Sequence, residues 1–165
     1  MILKLLMDLP EEMSYVPLAR QFGRSLLDYL KVVKEDIEDV ETIVTELVGN
    51  VVRHAQSAQG RFQVLLEYYA DRLVITVIDA GEGFTFRDVP EIGAARPDGG
   101  GGERLGGFGL PLLEMMSDQL DFSRTDPHGT TVRAEKRLRY ETQQASDNAD
   151  KMNKHGGGMA RISPG

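Results

Sequence analysis

The stretch Val77-Ile78-Asp79-Ala80-Gly81-Glu82-Gly83 (VIDAGEG) ends an apolar run with a carboxylate and two glycines. Asp and Gly are ordinary turn formers, so one reading is a turn. The other is a ligand that lies against bare backbone at Gly81 and Gly83 while Asp79 reads one of its polar edges. The residues ahead, RFQVLLEYYADRLVITVID, read as two strands joined at Ala70-Asp71-Arg72. Phe62, Val64, Leu66 and Tyr68 alternate in the first strand, and Leu73, Ile75 and Val77 in the second.

Working outward, Ile2 to Leu6 reads as a short first strand. From Pro17 the apolar residues Leu18, Phe22, Leu26, Leu30 and Val33 recur at helical spacing, with Ser14 as the expected cap. A second helix is expected from about Asp36 to Ala55, with Ile37, Val40, Val44, Leu47, Val51 and Ala55 on its apolar face. A short helix follows from about Leu110 to Ser117, with Pro111 in its first turn, where proline is tolerated. QLDFSRT and TTVRAEKRL read as a closing strand pair across the turn Asp126-Pro127-His128-Gly129. Helices on one side of a mostly antiparallel mixed sheet make a two-layer α/β sandwich.

The chain has 165 residues, 41% hydrophobic and 27% charged, as expected of one soluble globular domain. A formal charge of −7 argues against direct nucleic-acid binding, which needs a concentrated basic surface. With no cysteine, disulfides and thiolate chemistry are excluded. The apolar start MILKLLMDLPEE is stopped by Asp8 and Pro10, too early for a signal peptide or membrane span, so the default expectation is cytoplasmic. Beyond Glu141 the periodicity stops. Residues 1–140 read as the domain, and 141–165, polar and glycine-rich, as a disordered tail in which His155 is simply solvated.

Two further groups bear on chemistry. In ETIVTELVGNVVRHAQS, Thr42, Glu46, Asn50 and Arg53 are spaced by three or four residues and share the face opposite the apolar stripe. A solvated helix face accounts for Glu46 and Arg53; Asn50 is less expected in a helix interior. An acid, an amide and a cation in a row also suit a nucleotide: a proton acceptor, a hard-metal ligand and a phosphate partner. In GGGGERLGGFGLPLLEMMSD, seven of the 18 glycines fall between Gly99 and Gly109, directly before a helix. A glycine run also describes a flexible linker. Opening into a helix, it suits a mobile lid whose backbone N–H groups meet phosphate oxygens. There is no Gly-Lys-Ser/Thr, so the loop is not a Walker motif.

In order, the chain gives E-x-x-x-N on a helix, D-x-G-x-G after a strand, G-x-G-L at a lid–helix junction, and Gly129-Thr130-Thr131-Val132 opening a strand. This order resembles the N, G1, G2 and G3 boxes of the GHKL ATP-binding superfamily over roughly residues 1 to 140, which implies the Bergerat α/β sandwich with a flexible ATP lid. A sensor histidine kinase would carry a phosphoacceptor histidine before the N box, and the 45 residues before Glu46 contain none. Gyrase-like and chaperone-like ATPases continue into a large transducer domain, for which no chain remains. LPEEMSYVPLARQFGRSLLDYL, ELVGNVVRHA and GGFGLPLLEMMSDQLDF are similar to the stand-alone branch of bacterial anti-sigma factors that are serine-protein kinases.

The resemblance implies ATP and Mg²⁺ as cofactors. Its implied partners are a sigma factor and a STAS-domain anti-anti-sigma protein phosphorylated on serine, with a homodimer as the usual assembly. Carried onto this sequence, Glu46 is the expected general base. Asn50 holds Mg²⁺, Arg53 supports the phosphates, and Asp79, Gly81 and Gly83 bind adenine. Gly107 and Gly109 contact phosphate, Thr130 lies near the adenine, and Arg104 is the candidate for the γ-phosphate. His54 has no assigned role. Two alternatives remain open: a nucleotide-responsive binding module without catalysis, and a kinase of the same branch that activates a downstream enzyme without binding sigma.

Overall fold

The computed structural model describes residues 1–54, 57–80, 109–124 and 129–142. Its elements run β1 (Leu3–Pro10), α1 (Val16–Tyr29), α2 (Lys34–His54), β2 (Arg61–Tyr68), β3 (Arg72–Asp79), α3 (Gly109–Met116), β4 (Gln119–Arg124) and β5 (Thr130–Arg137), with a single 3₁₀ turn over Met13–Tyr15. The five strands form one sheet in the order β1-β2-β3-β5-β4. All four described pairings are antiparallel. Phe62, Val64, Leu66, Leu73, Ile75, Val77, Val132 and Ala134 point to one face and join the core with residues of α1 and α2. The expected two-layer sandwich is the one observed.

Strand β1 runs past the expected Leu6 to Pro10 because Asp8 does not interrupt the alternation. Met7 and Leu9 are buried, while Asp8 faces out and meets Arg61 Nε at 3.0 Å. In α1 the helix is where the spacing predicts, but its buried line is Val16, Ala19, Gly23 and Leu27. Leu18 and Phe22, expected on the packed stripe, are 42% and 44% exposed. The smaller residues face inward because α1 lies close against α2: a Cβ built on Gly23 would stand 3.7 Å from Val40 Cγ1. Ser14 is not the cap; Tyr15 holds that position without a side-chain bond, and Pro17 sits in the first turn.

The long helix α2 buries Ile37, Val40, Val44, Leu47 and Val51 as expected, together with Ile43 and Val48. Its first turn is clamped to the residues after β5. Asp36, 1% exposed, accepts the Arg139 backbone N–H at 2.7 Å and the Arg139 guanidinium Nη2 at 2.6 Å. One turn on, Lys136 Nζ donates to Asp39 at 2.6 Å. These two contacts set which end of the sheet the far end of α2 reaches.

Candidate nucleotide site

With Asp39 fixed to Lys136, α2 runs toward the start of β5. From Asp39 to Asn50 a helix rises roughly 17 Å, and from Lys136 back to Thr130 a strand spans roughly 20 Å. Asn50 therefore lies near the level of the beginning of β5, and Glu46, one helical turn back, is closer to the middle of the strand. Strand β3 is antiparallel to β5, with Ile78 opposite Thr131, so its last residue, Asp79, reaches the same end beside Thr130. The carboxylate of Asp79 points to the helix-bearing face, in step with Ile75 and Val77. The E-x-x-x-N face, the D-x-G-x-G strand end and the opening of the last strand thus meet at one edge of the sandwich.

Burial separates this edge from ordinary surface. Among the described residues only Asp36, Thr76, Asp79 and Thr130 are polar or charged and buried. Asp36 is accounted for by Arg139, and Thr76 faces the opposite side of the sheet, opposite Leu65. Asp79 is 4% exposed and Thr130 5%, side by side; neither is without a partner. Burying a carboxylate is costly unless it is paired, so a pair of neighbouring buried polar side chains at a strand end is the mark of a built site.

Gly129 holds the two strand ends together, and motif spacing alone does not assign it that role. Its φ is +121°, and a Cβ there would stand 2.1 Å from the Asp79 carbonyl oxygen and 3.0 Å from Ala80 Cα. Only glycine admits that approach, which seats Thr130 beside Asp79. The signal in the sequence is the glycine directly before TTV.

On α2, Glu46 and Asn50 are half-buried and Arg53 is exposed. The Arg53 Nη1 donates to Asn50 Oδ1 at 3.1 Å. Thr42 instead turns its hydroxyl to the Glu38 carbonyl at 2.9 Å and takes no part in the site. Helix α3 packs against α2 through Leu113, and its C-terminal end is tied down where the Asp118 N–H meets the Glu135 carbonyl at 2.8 Å. Gly109 is the first residue of α3. Gly81, Gly83, Arg104 and Gly107 lie outside the described residues, as does most of the expected lid.

Metal binding can be judged from the donor set. No group of three or more His, Cys, Asp or Glu side chains capable of holding a metal exists among the described residues. Asn50 Oδ1 is a single neutral oxygen, with Glu46 one helical turn away on α2. That set suits Mg²⁺, which takes few protein ligands and completes its shell with phosphate oxygens and water.

Helices packed on one face of a five-stranded antiparallel sheet define an α/β sandwich. The chain belongs to the histidine kinase-like ATPase domain family, whose model matches residues 9–136. The family implies ATP as the nucleotide.

The chain is similar to proteins named serine-protein kinase RsbW. One, from Bacillus pumilus, is 30% identical over 141 residues, covering 82% of this chain and 86% of the relative. Another, from Bacillus velezensis, is 29% identical with the same coverage. Two solved structures share the fold. The RsbW portion of a Mycobacterium tuberculosis protein solved as its RsbU and RsbW domains gives a TM-score of 0.61 at 19% identity, covering 82% of this chain and 32% of that one. The SiaB-SiaC complex from Pseudomonas aeruginosa gives 0.57 at 18%, covering 79% and 88%.

Proposed function

We propose that this chain is an ATP- and Mg²⁺-dependent serine-protein kinase that acts as an anti-sigma factor, phosphorylating a STAS-type antagonist and sequestering a sigma factor. The observation that supports it is the buried pair Asp79 and Thr130 at the strand ends toward which α2 carries Asn50, with Glu46 one helical turn back, in a chain similar along most of its length to serine-protein kinases. Asp79 accepts from the adenine exocyclic amine, and Thr130 borders the ring. Gly81 and Gly83 let the base lie close, while Gly107 and Gly109 present N–H groups to the phosphates, with Arg104 toward the γ-phosphate.

In the transfer, Glu46 takes the proton from the serine hydroxyl as its oxygen bonds to the γ-phosphorus. The bond from phosphorus to the β–γ bridging oxygen breaks, and ADP leaves with that electron pair. Asn50 would hold Mg²⁺, which would supply charge neutralisation on the phosphates. Proton removal by Glu46 contributes about 10²–10⁴-fold. The remainder is positioning, for which α2 is well suited because both of its ends are tied down. Asp36 and Asp39 hold the first turns, and after the last turn the Ser57 N–H donates to Glu11 at 3.1 Å.

A homodimer is supported by the edge strand. One side of β1 pairs with β2; the other has no strand against it among the described residues, and Leu3 and Leu6, on opposite faces of the strand, stand 43% and 55% exposed. Two copies paired antiparallel about Leu6 put Lys4 opposite the partner's Asp8 and Leu5 opposite the partner's Met7. Such a two-fold register is self-complementary in charge and apolarity. The exposed Leu18 and Phe22 fall on the flank of α1 away from α2, since Arg24 marks the α2 side by donating to Glu41 at 2.6 Å.

The function is tested by mixing the purified chain with labelled ATP, Mg²⁺ and each STAS-domain protein encoded beside it. Phosphoserine on one of them, together with co-purification of a sigma factor, is the expected result. Tight ATP binding without transfer to any of them would favour the non-catalytic binding module.

A further inference from the structure

Gly49 is an unexpected residue for the buried middle of a 21-residue helix, because only proline is a poorer helix former. Its place is explained by one side chain. A Cβ built on Gly49 would stand 2.8 Å from Arg53 Nη2 and 3.6 Å from Arg53 Cζ. The space that a Cβ would fill is taken by the tip of the Arg53 side chain, which lies back along the helix while remaining exposed. From that seat its Nη1 donates to Asn50 Oδ1. The oxygen so engaged is the atom assigned to Mg²⁺.

An amide oxygen has two lone pairs, so one hydrogen bond does not exhaust it. A guanidinium in contact with it nevertheless sets a permanent positive charge beside the position of a divalent cation, and like charges at that range oppose each other. We propose that Gly49 and Arg53 form a cationic guard on Asn50: Arg53 holds the metal-ligand oxygen until Mg²⁺ arrives with the nucleotide, and so raises the Mg²⁺ concentration at which the metal strengthens ATP binding. Once displaced, the guanidinium is within reach of the phosphates, the role its spacing on α2 predicts. Arg53 is thus a positioning residue acting through Asn50, and Gly49 provides the room. The inference rests on the assignment of Asn50 as the metal ligand.

The test is calorimetric titration of the full chain with ATP across a series of Mg²⁺ concentrations, including a metal-free point in chelator. Wild type is compared with Arg53→Gln, Gly49→Ala and Asn50→Ala. In Arg53→Gln the Mg²⁺ concentration for half of the affinity gain should fall about two- to fivefold, the scale of an exposed charged contact. Gly49→Ala keeps the arginine but denies it the seat, so the half-point should fall likewise. Its melting temperature should rise, as expected for alanine in place of glycine, showing that the fold is intact. The metal-free point reads the phosphate contact of Arg53 separately. An unchanged or raised half-point in Arg53→Gln overturns the guard, and an unchanged one in Gly49→Ala alone overturns the role of the glycine. Asn50→Ala should abolish the Mg²⁺ dependence altogether. If it does not, the metal assignment fails; if it does while the other two stay unmoved, only the guard fails.

Discussion

At the scale of single residues, the site depends on contacts that tolerate little change. Asp79→Asn keeps size but presents an N–H₂ where the adenine amine also donates. ATP affinity should fall in isothermal titration, and unchanged affinity would remove Asp79 from the adenine site. Gly129→Ala forces a Cβ into the Asp79 carbonyl and strains a left-handed backbone position. We expect a loss of about 2–3 kcal/mol in denaturant unfolding, along with weaker ATP binding. A variant of wild-type stability would show that the approach of β5 to β3 is looser than described. The positions of Asp79 at the end of one strand and Thr130 at the opening of another were legible in the sequence because each follows or opens an apolar run. The close approach at Gly129 was not, since a glycine beside a turn gives no sign of which backbone it meets.

Elements were legible wherever apolar periodicity and burial coincide, as in α2, β2 and β3. They were less so in α1, where Leu18 and Phe22 recur at helical spacing yet the buried line is made of smaller residues. Periodicity reports an apolar face but does not say whether this chain or another covers it. The residues after β5 were the least legible, because Leu138 to Tyr140 look like the frayed end of a strand. They instead strap the sandwich together: Val33 N–H meets the Arg139 carbonyl at 2.9 Å, and the Tyr140 hydroxyl donates to the Ala70 carbonyl at 2.8 Å. Tyr68, 3.0 Å from Tyr140, is left to donate to it. Contact with Asp36 raises the already high pKa of the Arg139 guanidinium, keeping that half of the strap charged.

Burial pushes the Tyr140 pKa well above the usual value of about 10. A pKa raised on folding gives stability that is complete below about pH 10 and lost as pH climbs toward the higher folded value. Stability should therefore decline above about pH 10. Tyr140→Phe should cost about 1 kcal/mol at neutral pH and make that alkaline decline shallower. An alkaline limb identical to wild type would mean the strap does not couple to the fold.

For the whole molecule, the edge strand and the chain end make separate predictions. Leu6→Glu places like charges opposite each other at the centre of the proposed β1–β1 contact, so sedimentation should show monomers with an intact melting transition. A dimer that survives this change lies elsewhere. Removing residues 141–165 keeps the strap and should leave folding and ATP binding unchanged; removing 139–165 takes Arg139 and Tyr140 and should lower the melting temperature. The architecture was readable because apolar periodicity sets out the helices and strands and four short motifs fall between them in a family's order. The edge position of β1, on which the proposed β1–β1 contact rests, was not, because strand order within the sheet is not written in any one strand.

The central claim is that Glu46 removes a proton in phosphoryl transfer while the site around it binds nucleotide. Glu46→Gln keeps size and hydrogen bonding but cannot take a proton near neutral pH. Labelled phosphate transfer from ATP to the STAS-type partner, measured beside ATP affinity on the same preparation, is the direct measurement. Transfer should fall about 10²–10⁴-fold, with ATP affinity and partner binding little changed. Transfer at the wild-type rate by the Glu46→Gln protein would contradict it.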